Sequence, residues 1–372
     1  MGKIKPLAAA ALIALLAGCG DQRVLESLAF VNATSYDLVQ DKEDGAKENL
    51  LICIDVPKSD PEGKMKREVL STVARSKKDA HLQLAKQTEL MLVSGQLRSS
   101  LFGLSIARSG IWNYVRALVR DPSISQNVKV AVVNGNAGEL LAKRYPEHPM
   151  TGQYIDRLLE KEADKMSVPR VTVYDFTRDF YDDGIDAVAP ILKQGKKNIE
   201  VNGIALFDQD RYITRIEPDQ MPIFALLRQN VKNGELSIDI KKSGEEAEQI
   251  MINSIVSRRK VKVRRGENGN FIVNIHFRVM GTLREYLGDL DMSDDRHRRE
   301  LEKRVTASLL KDADAMVAML RKHNVDSLGI GKRVRNSMSY KEWSKTDWNA
   351  VYPKLDIKVT GEMIIKDFGK VY

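Results

Sequence analysis

Apolar and polar residues alternate along this chain in two rhythms, and each rhythm predicts a different element. Leu50-Leu51-Ile52-Cys53-Ile54-Asp55-Val56 is a short apolar, partly β-branched run closed by Pro57. It predicts a buried strand, with Cys53 as a small core residue. Lys78 to Leu92 has a helical pattern. Val128-Lys129-Val130-Ala131-Val132-Val133 predicts a second buried strand, ended by the turn Asn134-Gly135-Asn136, and a helix starts at Ala137. Gly203-Ile204-Ala205-Leu206-Phe207, followed by Asp208-Gln209-Asp210, signals a hairpin.

The second half is more regular. Ile255–Arg265 and Asn270–Thr282 alternate with period two and are joined by Gly266-Glu267-Asn268-Gly269, which predicts a hairpin. Phe271, Val273, Ile275, Phe277 and Val279 then share one face. Leu301, Val305, Leu309, Ala313, Met316, Val317 and Leu320 recur at spacings of three and four, the apolar stripe of a long helix. Leu355, Ile357 and Val359 alternate with Lys354, Asp356 and Lys358 in a last strand. Strands flanking a long helix without regular βαβ repetition predict an α+β, multi-domain fold of mixed β-sheets flanked by helices. Its C-terminal domain packs the long amphipathic helix on an antiparallel-rich sheet. The chain divides into an N-terminal α/β region at 28–198 and a C-terminal domain at 199–372, with the boundary near Gly195-Lys196-Lys197-Asn198. Trp343 and Trp348, just before Tyr352-Pro353, are expected to pack the C-terminal domain rather than line a ligand pocket.

The first residues follow neither rhythm. A basic start with Lys3 and Lys5 leads into eleven apolar residues, Leu7–Ala17, and then Leu16-Ala17-Gly18-Cys19. The run is too short to cross a bilayer and suits a signal peptide at 1–18. The last four residues resemble a bacterial lipobox, which makes Cys19 the lipid attachment site and 19–27 a lipid-anchored tether. An ordinary secretory signal with an incidental cysteine is the bland reading. N-myristoylation is excluded, because Pro6 stands where Ser or Thr is required.

Composition narrows the chemistry. The 372 residues are 43% hydrophobic and 30% charged, a globular balance, with a net charge of +8 that is no nucleic-acid signature by itself. Two cysteines supply no disulfide framework. His81, His148, His276, His297 and His323 are scattered, without metal-ligand spacing. No phosphate-binding glycine loop occurs, and Gly103-Leu104-Ser105-Ile106-Ala107 only half matches a nucleophile elbow. Asp289, Asp291, Ser293, Asp295 and Glu300 have calcium-loop spacing, but Asp294 occupies the position that demands glycine. A helix start with Ser293 as N-cap is the better reading. No catalytic, metal or cofactor site is expected. Arg258, Lys260, Lys262 and Arg264 fall on one face of a strand, either solvated or a candidate membrane- or partner-facing surface.

Several stretches together resemble the Ger(x)C family, the lipoprotein C subunits of spore germinant receptors. They are Arg120-Asp121-Pro122-Ser123-Ile124, Val168–Phe176 with Val188-Ala189-Pro190, and Gly203–Phe207. Gly281-Thr282-Leu283 with Gly288–Asp291 follows, and Asp326–Gly331 with Trp343, Trp348 and Tyr352-Pro353 closes the pattern. Thr282 replaces the family's Asn, and Phe102-Gly103 stands where many members have Gly-His. The resemblance implies a non-enzymatic protein, lipid-anchored on the outer face of the inner spore membrane of an endospore-forming bacterium. It also implies partners: an A-type and a B-type integral membrane subunit, assembled into a receptor that triggers germination. Two other classes, an extracytoplasmic solute-binding lipoprotein and a membrane-anchored enzyme, are distinguished by two like lobes around a cleft and by a nucleophile–base or metal cluster.

Overall fold

The structure, a computed structural model, describes residues 27–40, 48–59, 65–165, 167–240, 248–267 and 270–367. Its strands are β1 (Leu28–Phe30), β2 (Ala33–Gln40), β3 (Glu48–Ser59), β4 (Met65–Ala74), β5 (Met91–Val93), β6 (Ser99–Gly103) and β7 (Lys129–Val133). They continue as β8 (Val188–Gln194), β9 (Ile199–Asp208), β10 (Arg211–Ile216), β11 (Leu236–Ile240), β12 (Glu248–Arg265), β13 (Phe271–Leu287) and β14 (Asp356–Asp367). The helices are α1 (Lys77–Ala85), α2 (Leu104–Ser109), α3 (Trp112–Val119), α4 (Ala137–Ala142), α5 (Thr151–Asp164) and α6 (Val173–Tyr181). After them come α7 (Met221–Arg228), α8 (Asp295–Lys322), α9 (Ile330–Arg335), α10 (Tyr340–Trp343) and α11 (Trp348–Val351).

Eight strands make one mixed sheet in the order β10-β9-β8-β7-β6-β2-β3-β4. Its centre, β2-β6-β7-β8, is parallel, and antiparallel pairs extend it on both sides. Parallel strands are covered on both faces, so they read as unbroken apolar runs. In β7, Val130 and Val132 enter the layer that holds Val115, Leu118 and Phe176 of α3 and α6. Ala131 and Val133 enter the opposite layer with Leu140, Leu141 and Ile155 of α4 and α5. Strands β1 and β5 pair in a small parallel sheet, and β11-β12-β13-β14 form a third sheet. Val273, Ile275, Phe277 and Val279 are fully buried on one of its faces, beneath the α8 residues Leu301, Val305, Leu309, Ala313, Met316, Val317 and Leu320. The α8 side chains Thr306 and Glu302 also accept the β14 amides of Met363 and Ile365, at 3.0 and 2.7 Å, which blunts that sheet edge. Helix α7 is apolar nearly all round, as a helix enclosed by other elements must be.

The fold is mixed α+β, with sheets flanked by helices. Where local expectation and structure differ, a longer-range contact decides. Gly195–Asn198 is the turn of the β8–β9 hairpin, Gly195 N–H donating to Asn198 O at 2.9 Å, so the large sheet runs on through β9 and β10. The helix expected from Lys78 to Leu92 ends at Ala85, because Met91–Val93 leaves it to pair with β1. The N-cap of α8 is Asp294, whose carboxylate accepts Arg296 N–H at 2.7 Å, while Ser293 N–H turns back to Asp291. Cys19, the leader and the polar tether lie outside the described residues, as do Asn268 and Gly269 of the hairpin turn.

Candidate functional site

The two halves meet at a polar clasp. Asn324, left-handed at φ 53°, breaks the chain away from α8, and Gly329, at φ 66°, bends it into α9. Between them the Asp326 carboxylate accepts the amides of Ile330 and Gly331 at 2.8 and 2.6 Å, capping α9. The loop 182–187 of the N-terminal half lies against this turn. Asp326 N–H donates to the Asp186 carboxylate at 2.5 Å, Asp186 N–H to Asp326 O at 3.1 Å, and Lys332 N–H to Gly184 O at 2.9 Å. Asp182 pairs with Lys332 and Arg335 at 2.5 and 2.8 Å. Backbone meets backbone here: a Cβ on Gly331 would sit 2.5 Å from Gly184 Cα and 2.6 Å from the Trp348 ring.

Two arginines reinforce the clasp from behind. Arg228, at the end of α7, donates to the Asp179 carboxylate at 2.7 Å and to the Ser327 carbonyl. Arg259 of β12 donates to the carbonyls of Arg228 and Leu328 at 2.9 and 3.1 Å. Desolvation pulls the Arg259 guanidinium down to about 10 and lowers that of Arg228 as well. Burial also pushes the Asp326 carboxyl up to about 8, against the two amides that it accepts, and the Asp186 carboxyl up to about 6.

Above the clasp opens a cleft of about 580 Å³. Asp179, Asp182, Asp183, Asp186, Asp208 and Asp347 line it, together with the rings of Phe180, Tyr340, Trp343 and Trp348. Trp343 and Trp348 therefore depart from expectation. Their rings pack at 5.6 Å, and Trp343 is buried, but both also wall the cleft, and Trp348 is only half-buried. A lining that combines carboxylates with aromatic rings suits a cation or a hydrogen-bond donor. No histidine, cysteine or lysine is among the lining residues. Among the described residues no group of three or more His, Cys, Asp or Glu side chains could hold a metal ion.

The family model for the spore germination protein N-terminal domain matches residues 21–194, and the spore germination B3/GerAC-like C-terminal model matches residues 202–369. This chain belongs to the Ger(x)C family of spore germination proteins. It is 24% identical over 358 residues to spore germination protein GerQC of Bacillus cereus, covering 96% of this chain and 97% of the relative. Putative spore germination protein YfkR of Bacillus subtilis (strain 168) is 21% identical over 371 residues, at 96% and 94% coverage. The crystal structure of the GerBC protein covers 92% of this chain and the whole of that one, with a TM-score of 0.56 and 16% identity. That likeness is one of fold.

Within this Ger(x)C frame, the structure gives the closing motif its physical reason. Asp326 caps a helix, Gly329 takes a left-handed φ, and Gly331 makes room for Gly184 and Trp348. Arg258, Lys260, Lys262 and Arg264 do share one exposed face of β12. Their neighbour Arg259 points the other way, into the clasp, and sequence reading missed it. Strand parity was the available signal, since it puts Arg259 on the side of Val261 and Val263. Asp186, Asp179 and Arg228 carried no local signal for the clasp, because the partners that tie them into it lie 49 to 140 residues away.

Proposed function

We propose that this protein is the lipid-anchored, non-catalytic C subunit of a nutrient germinant receptor. It assembles with an A-type and a B-type integral membrane subunit on the outer face of the inner spore membrane. The carrying observation is that the two family models run in order over 21–194 and 202–369, the first starting just after the lipobox cysteine. No helix among the described residues is long and apolar enough to cross a membrane, so attachment falls to Cys19. Two or three acyl chains there, each buried methylene adding about 0.8 kcal/mol, would hold the body stably. Residues 28–198 and 199–372, which share the large sheet through β9 and β10, form the body, tethered through 19–27 once the 1–18 leader is removed.

Affinity capture of the protein from detergent-extracted spore membranes should bring down A-type and B-type subunits, identified by mass spectrometry. Intact protein recovered without either subunit refutes the assembly. Cys19→Ala should leave the protein unprocessed or released. If that variant still fractionates as a mature, detergent-requiring membrane protein, the anchor is misassigned.

A further inference from the structure

One face of the β11–β14 sheet is covered by α8, and the other carries a row of unpaired charge. Arg258, Lys260, Lys262 and Arg264 occupy every second position of β12 and are all exposed. At about 6.8 Å per pair of residues, they span roughly 20 Å. Register sets Arg278 of β13 beside Arg258 and His276 beside Lys260. The carboxylates beside the row on β14 are engaged, Glu362 by Arg278 and Asp356 by Lys358 at 4.0 Å. No carboxylate among the described residues pairs with the four β12 cations. A groove of about 460 Å³ opens between Arg258, Lys260, His276 and Arg278; Arg259 and Asn230 border it, and so does Glu362, whose charge is met by Arg278. Among the described residues the Arg259 guanidinium has no carboxylate partner and its buried Nε has no acceptor, its Nη groups being held by the clasp carbonyls. Like charges set directly opposite each other, as Arg258 and Arg278 are, weaken a sheet. Glu362 answers Arg278, which leaves Arg258 and the rest of the β12 row without a counter-charge among the described residues.

We propose that this face is a docking surface for an anionic lipid bilayer, with the β12 row lying along the headgroups and the groove seating a headgroup phosphate. An exposed row of four like charges with no carboxylate paired to it matches an anionic plane, and the exposed apolar side chains of this face, Met251 and Val256, lie beyond one end of the row rather than within it. The inference does not depend on the lipid anchor, because a chain beginning at Asp21 holds every described residue.

The test is partition of residues 21–372 onto vesicles containing phosphatidylglycerol, compared with phosphatidylcholine alone. Each basic side chain near an anionic surface contributes about fivefold. Lys260→Glu with Lys262→Glu should therefore cut partition by roughly twenty-five-fold or more. Lys303→Glu with Lys311→Glu, the same charge change on the solvent side of α8, should leave it within about twofold. Raising salt from about 0.1 to about 1 M, which shortens the Debye length from about 10 to 3 Å, should abolish binding. Equal partition onto both vesicle types, or an equal loss in the control pair, overturns the proposal. So does an absence of vesicle binding combined with loss of receptor assembly in the Lys260/Lys262 variant, which would assign the face to an acidic protein surface.

Discussion

Three buried aspartates hold helix N-termini by one device, with Asp37 serving α4, Asp55 serving α5 and Asp326 serving α9. Asp37, on β2, accepts the amides of Ala137 and Gly138 at 2.9 and 2.8 Å. Asp55, on β3, accepts Gly152 N–H at 3.1 Å and pairs with Arg67 at 3.0 Å. Each carboxylate meets the positive end of a helix, which offsets part of the cost of burying it. Small residues are the corollary: a Cβ on Gly152 would lie 2.6 Å from Asp55 Oδ2, and one on Gly138 would lie 2.9 Å from Cys53 Sγ. Cys53 is thus enclosed at 4% exposure, and burial pushes its thiol up, away from the reactive thiolate. A maleimide or disulfide reagent should label it slowly in the native protein and fast once denaturant unfolds the chain. Rapid labelling under native conditions would contradict the packing of β3 against α4.

At the scale of elements, the short turn that links α8 to α9 carries the most constraint. Gly331→Ala presses a methyl group on the Gly184 backbone and the Trp348 ring, neither of which is a flexible side-chain end. Overpacking of this kind costs about 1–3 kcal/mol. Thermal unfolding should show the loss, with faster amide exchange at Lys332, whose N–H binds Gly184 O. An unchanged melting temperature would mean that the two loops are not in contact. The elements most legible in sequence were those whose partners are local. The β12–β13 hairpin and α8 declare themselves by period, and every residue expected on the buried stripe of α8 is buried. The pattern overran into β5 because Leu90 and Leu92 still pack on the core there, so apolar spacing alone did not register the end of α1. The cleft was illegible for a different reason. Its walls come from α6, the loop 182–187, the β9–β10 turn and the segment 340–349, and no periodicity records that meeting. The tryptophans were identifiable as packing residues, but which of their edges faces solvent depends on a loop about 160 residues earlier in the chain.

The whole molecule is joined where Asp186 of the N-terminal half meets Asp326 of the C-terminal half, and this seam should give stability a distinctive pH dependence. Both carboxyls ionise later in the folded protein than in the unfolded chain, at about 6 and about 8 against an ordinary value near 4. The folded state therefore keeps protons that the unfolded chain has released. Their contribution to stability is fully present below about pH 4 and falls as pH rises, ending near 6 for Asp186 and near 8 for Asp326. Asp182 works in the opposite sense. Burial would raise its pKa, but Lys332 and Arg335 outweigh burial and hold it low, so its contribution is lost only in acid. Between pH 6 and 8 the slope thus belongs mainly to Asp326. Asp326→Asn removes that proton and one of the two acceptors for the Ile330 and Gly331 amides, an unmet buried donor that costs about 1–3 kcal/mol. The variant should be clearly less stable than the parent at pH 6, and its melting temperature should change less between pH 6 and 8. The two curves should converge as the parent releases its proton. Curves that stay parallel across this range would show that Asp326 is already ionised at the seam, and that the two halves are joined through a charged group rather than a neutral one.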